Sequence, residues 1–144
     1  MTFRTLSRLG SLVLAGFLCL GHGDDGGCGG GDDDDNGHHH GGAATGATCP
    51  PSGGPTAQSF GTAFMQTHCL SCHSKSLVGD ARQGATEGVD FDTLDDVRRQ
   101  SALIDTHSAA GPHATNTEMP PAERPQPTQQ EREKLGQWLA CGAP

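Results

Sequence analysis

The sequence predicts an all-α domain of about three helices, and three observations carry that reading. Apolar and aromatic residues recur at helical spacing in two stretches, one ahead of residue 69 and one beyond residue 128. No run of β-branched residues that would mark a strand surrounds the segment between 69 and 73. That segment is Cys69-Leu70-Ser71-Cys72-His73, a C-x-x-C-H cluster in which two thiols can each add to one vinyl group of a haem while the next side chain donates an imidazole nitrogen to the iron. Cys69 and Cys72 are thus expected as covalent attachments and His73 as proximal ligand. A bound macrocycle would also make good a thin core, because only Phe60, Phe64, Phe91 and Trp138 are aromatic between Pro55 and Pro144.

Taken in order, the chain begins with Arg4 and Arg8 followed by an apolar run from Leu9 to Leu20, which reads as an export signal over residues 1–23 and is too short to span a bilayer. A lipoprotein leader is the competing reading, although neither Cys19 nor Cys28 follows a proper lipid-attachment box. Residues 24–54 are rich in Gly, Asp and His, lack hydrophobic periodicity and are expected to form a flexible, disordered tether. Within it, Asp32 to Asp35 and His38 to His40 read either as solvated linker or as a cluster for a divalent cation or copper. The remaining residues 55–144 suit one domain.

The first helix is expected from about Thr56 into the motif, with Phe60 and Phe64 one turn apart and Gly61 marking close approach of another backbone. A shorter helix is expected from Phe91 to about Ile104, acidic at its start and basic further along. The third begins at Thr128, where Thr128-Gln129-Gln130-Glu131 forms a capping box, and carries Leu135, Trp138 and Leu139 on one face. Two other uses of C-x-x-C find little support: zinc would need a second ligand pair, absent downstream, and a redox dithiol would need a strand-helix-strand setting.

These features together resemble the class I cytochrome c family. The resemblance rests on Gly61 eight residues before the first motif cysteine, the Phe64-Met65 pair, Met119-Pro120-Pro121 and Leu135-x-x-Trp138-Leu139, and covers nearly all of residues 55–144. It is nearest to the small cytochrome domains of exported bacterial proteins and lipoproteins. The resemblance implies one covalent haem c, terminal helices that cross at the glycine and the aromatic residue, and one-electron transfer. The family usually supplies a proline carbonyl about a dozen residues after the motif to accept a hydrogen bond from the proximal imidazole. Here Gly79 to Gly88 has no proline, so the acceptor is open.

Asp105 to Pro127 has no periodicity and contains five prolines, which suits a functional lid over the haem. Met119 is the favoured distal ligand, since Pro120 biases it toward an extended conformation. Met65 belongs to the first helix, and His68 reads as an exposed helix residue. His107 and His113 are the competing ligands, and a second imidazole would lower the reduction potential relative to methionine. Cys49 lies just before the first helix and Cys141 just after the third, so a disulfide joins them if those helices cross. Cys28 is then left over, as a thiol on the tether, a lipid attachment or an intermolecular bridge.

Eleven Asp and Glu against seven Lys and Arg between residues 55 and 144 set nucleic acid aside as a partner. The expected function is that of a monomeric, monohaem electron carrier outside the plasma membrane, periplasmic or envelope-associated, exchanging electrons with redox proteins, with the N-terminal segment as a potential membrane tether. No acid or base is recognisably placed for catalysis. A haem enzyme or gas sensor, with His107 or His113 above an open iron, is the alternative, and a metal-handling protein using His38 to His40 is the third.

Overall fold

Thr56 opens the first helical element of the computed structural model, which describes residues 41–144. Its hydroxyl accepts from the Ser59 amide at 3.1 Å, and the Ser59 hydroxyl accepts from the Thr56 amide at 2.9 Å, so two amides without helical partners are satisfied reciprocally. The first turn, Ala57–Gly61, is π-helical and continues into α1, Thr62–His68. A 3-10 turn follows at Gly79–Arg82, then α2 (Leu94–Arg99), α3 (Ser101–Ser108) and α4 (Gln129–Ala140). Thr93 with Asp96 and Thr128 with Glu131 repeat the reciprocal cap at α2 and α4. Among the described residues the fold is all-α, without a strand, and no helix is long and apolar enough to cross a membrane.

One expected helix is two. The element read as Phe91 to Ile104 breaks at Gln100 (φ −111°, ψ 17°), whose side-chain amide donates to the Asp90 carbonyl at 2.9 Å. That bond ties the break to the loop below, and α3 then runs on to Ser108.

α4 packs against the opening turn of the first helix and against α3. Its Trp138 is fully buried with Phe64, Met65, Val97, Ile104 and Leu135 in the core. Gly61 lies directly on the Trp138 ring, where a Cβ would stand 2.1 Å from Cζ2, and Phe60 meets the ring edge-on at 6.4 Å. The expected crossing at Gly61 and Trp138 is present. Cys49 and Cys141 are disulfide-bonded, Cα atoms 4.7 Å apart, across a sequence separation of 92 residues. In the chain-entropy account a loop of that length contributes about 4 to 5 kcal/mol.

The tether expected over 24–54 is corrected in its last part: residues 41–54 are packed on the domain. Thr45 is 1 % exposed, and its amide and hydroxyl donate to the two carboxylate oxygens of Asp105 at 2.9 and 2.6 Å. The Ala43 and Thr45 carbonyls accept from the Asn116 side chain (2.8 Å) and the His113 amide (2.9 Å). Short side chains hold this strap through backbone hydrogen bonds, a term that hydropathy does not register. The expected signal, Asp32 to Asp35, His38 to His40, Cys19 and Cys28 lie outside the described residues.

A buried carboxylate organises the start of α2. Asp96 accepts from the Lys75 ammonium at 2.9 Å on both oxygens, from the Thr93 hydroxyl at 2.6 Å, and from Arg99. The Lys75 hydrogen bond, followed by that from Thr93, holds its pKa down at about 2. A depressed pKa means that the stabilisation is complete above about pH 4, the ordinary aspartate range, and disappears as pH falls through about 2. Urea midpoints measured between pH 5 and 2 are therefore expected to fall more steeply for the native protein than for Asp96→Asn. Parallel profiles would remove Asp96 as the source.

Candidate metal centre

The C-x-x-C-H cluster forms a tight turn continuing off α1. The Cys69 amide donates to the Met65 carbonyl at 2.9 Å, and the Cys69 carbonyl accepts from the amides of Cys72 (3.1 Å) and His73 (2.9 Å). Cys69, Cys72 and His73 are thereby gathered on one half-buried turn, with neither thiol in a disulfide. Burial, and next the neighbouring Cys72 sulfur, push the Cys69 thiol up to about 12. Among the described residues no group of three or more His, Cys, Asp or Glu is arranged to hold a metal ion.

His73 has the geometry of a preoriented ligand. Its Nδ1 lies 2.8 Å from the Val89 carbonyl, which can only accept, so Nδ1 carries the proton and Nε2 keeps its lone pair. The acceptor left open in the sequence is thus Val89, just beyond the proline-free stretch. Phe91 secures the ring from a second direction: its amide donates to the His73 carbonyl at 3.0 Å, and the two rings lie 4.9 Å apart. Desolvation, the largest influence, lowers the His73 pKa and favours the neutral imidazole that a metal requires.

The loop carrying this acceptor is held by a buried arginine. Arg82, 3 % exposed, pairs with Asp90 at 2.8 Å and donates to the carbonyls of Ser74 (3.0 Å), Ala85 (3.2 Å), Thr86 (2.8 Å) and Val89 (3.1 Å). Ser74 and Asp92 close the same loop at 2.6 Å.

Met119 lies half-buried on the separate segment between α3 and α4. Its amide donates to the His107 carbonyl at 2.8 Å, its carbonyl accepts from Arg132 at 2.9 Å, and its bond to Pro120 is cis. Buried Arg132 also donates to the carbonyls of Ser108 (2.8 Å) and Asn116 (2.9 Å) and to the Gln126 side chain (3.0 Å). This segment meets the end of α1 where the His68 Nδ1 hydrogen-bonds the Pro125 carbonyl at 3.1 Å.

The competing histidines have partners of their own, although His107 lies near enough to act electrostatically on His73. His107 turns Nδ1 to the Leu103 carbonyl at 2.8 Å and Nε2 toward Glu118 at 3.7 Å, while Gly41 of the strap lies on its ring. His113 is exposed and packs over Gly46. Met65 is buried in the core.

The donor chemistry is what a covalent haem would need: two neighbouring thiols and an imidazole with its outer nitrogen already committed, beside the Phe91 ring. A cleft of about 220 Å³ lies apart from these residues, between the strap and α3 and α4, and its one carboxylate, Asp105, is already bonded to Thr45. Arg82, Arg132 and the Val89 carbonyl were not singled out from the sequence. Arg132 was detectable there, since it precedes Leu135 by three residues and Leu139 by seven on the buried face of α4. Searches against protein-family models, curated proteins and solved structures found no match to this chain.

Proposed function

We propose that this chain is an exported monohaem c-type cytochrome with a class I fold, a one-electron carrier that serves redox proteins outside the cytoplasm. The observation that carries the proposal is the C-x-x-C-H turn with its imidazole fixed by the Val89 carbonyl. Cys69 and Cys72 would hold haem c, His73 would be the proximal ligand and Met119 the distal one. The haem would supply the ferric/ferrous couple; the protein's part is to fix the ligands and limit water at the site. Met119 is favoured over His107 because its backbone is fixed at both ends while the His107 ring faces its own helix and Glu118. The Cys49–Cys141 disulfide agrees with an oxidising compartment.

The test is haem attachment in cells that carry out c-type maturation. Haem is expected to remain on the protein through acid-acetone extraction and denaturing electrophoresis, to be held less firmly after Cys69→Ala or Cys72→Ala, and to be lost when both are changed. Haem that extracts freely from the unaltered protein would overturn the proposal.

A further inference from the structure

Val89 offers one carbonyl oxygen to two donors: His73 Nδ1 at 2.8 Å and Arg82 Nη2 at 3.1 Å. A carbonyl has two lone pairs, so both bonds can be made at once. They are not independent. A guanidinium draws electron density from the oxygen it contacts, leaving a poorer acceptor for the second proton, and bonds that share an atom in a low-dielectric setting polarise one another. The hydrogen bond on the outer nitrogen of a ligating imidazole sets the basicity of the inner one.

We propose that Arg82 is a positioning residue that limits the donor strength of His73 through the shared Val89 carbonyl, and so raises the preference of the bound iron for the ferrous state. The inference rests on the haem reading above. It differs from a purely structural role for the Arg82–Asp90 pair. A buried ion pair is weak grounds for stability, and pairing with Asp90 alone would not require Nη2 on this oxygen. With Arg82 gone, Val89 would accept more strongly from Nδ1–H, the imidazole would gain anionic character, and the ferric form would be favoured.

The first measurement uses the unaltered ferrous holoprotein labelled with nitrogen-15 and carbon-13. Scalar couplings across hydrogen bonds are expected from the Val89 carbonyl carbon to both His73 Nδ1–H and Arg82 Nη2–H, and absence of the arginine coupling overturns the proposal whether or not any variant folds. The second compares Arg82→Lys, which keeps the cation, with Arg82→Gln/Asp90→Asn, which removes both charges. In both, the His73 Nδ1–H resonance is expected to move downfield and the potential to fall. A potential that falls without movement of that resonance would assign the effect to charge alone and overturn the shared-carbonyl inference, as would no change in either quantity. Extraction of haem from each sample separates the two readings: haem that is not covalently bound overturns the haem reading and this inference with it, whereas bound haem with unchanged variants overturns this inference only.

Discussion

Gly61→Leu is expected to destabilise the protein by several kcal/mol, and even Gly61→Ala to lower its stability, although alanine is the better helix former by about 1 kcal/mol. The backbone at Gly61 is ordinary helix (φ −59°, ψ −46°), so no strain at that residue opposes a side chain. The obstacle is the Trp138 ring, with Cζ2, Cε2 and Cη2 at 2.1, 2.4 and 2.5 Å from the position of an added Cβ. That ring cannot yield cheaply. It is fully buried, Phe60 stands edge-on against it, and Nε1 donates to the Pro144 oxygen at 3.4 Å. Overpacking of this kind costs about 1 to 3 kcal/mol for extra methylenes and more where the backbone must shift, which exceeds the gain in propensity. Denaturant titration checks the size. A loss from Gly61→Leu below about 0.5 kcal/mol, typical of an indifferent surface position, would mean that the crossing tolerates a side chain there.

The same crossing marks how far the sequence could be read. Gly61, Trp138 and the cap at Thr128 are local signals with a direct physical meaning, and each lies at the expected end or contact of its helix. The caps at Thr56 and Thr93 were less visible because their reciprocal partners are Ser59 and Asp96, shorter side chains than the Glu or Gln of the usual pattern. The break at Gln100 depends on the Asp90 carbonyl ten residues away, and the strap depends on Asp105 and Asn116, sixty or more residues away for its main contacts. Local propensity carries neither. At the candidate centre, the side chains that the sequence singles out are side chains of a local motif, whereas the groups that hold them are backbone carbonyls, of which every residue has one. Only a fold can select Val89 among them.

Arg132→Met is expected to lower stability by about 3 kcal/mol or more and to loosen the Met119 segment in particular. Replacing a buried ion pair with apolar side chains is often neutral because both charges leave together. Here the partners of the guanidinium are the backbone carbonyls of Ser108, Asn116 and Met119, which no side-chain change removes, and each buried acceptor left without a donor costs about 1 to 3 kcal/mol. Arg132→Lys should recover part of the loss, since an ammonium keeps the charge and three donors for the carbonyls that Nη1 serves but loses the second arm, Nη2, that donates to Gln126. Hydrogen exchange locates the effect. The Asn116 and Met119 amides, bonded to Ala109 and His107, should exchange faster in Arg132→Met by more than the global loss of stability explains. If Met119 ligates the proposed haem, the variant should show a weaker long-wavelength sulfur-to-iron band and new binding of carbon monoxide. A variant as stable as the native protein, with unchanged exchange at Met119, would show that the segment is held by its prolines rather than by Arg132. An altered exchange pattern with an unchanged iron spectrum would leave the clamp in place and remove Met119 as the distal ligand.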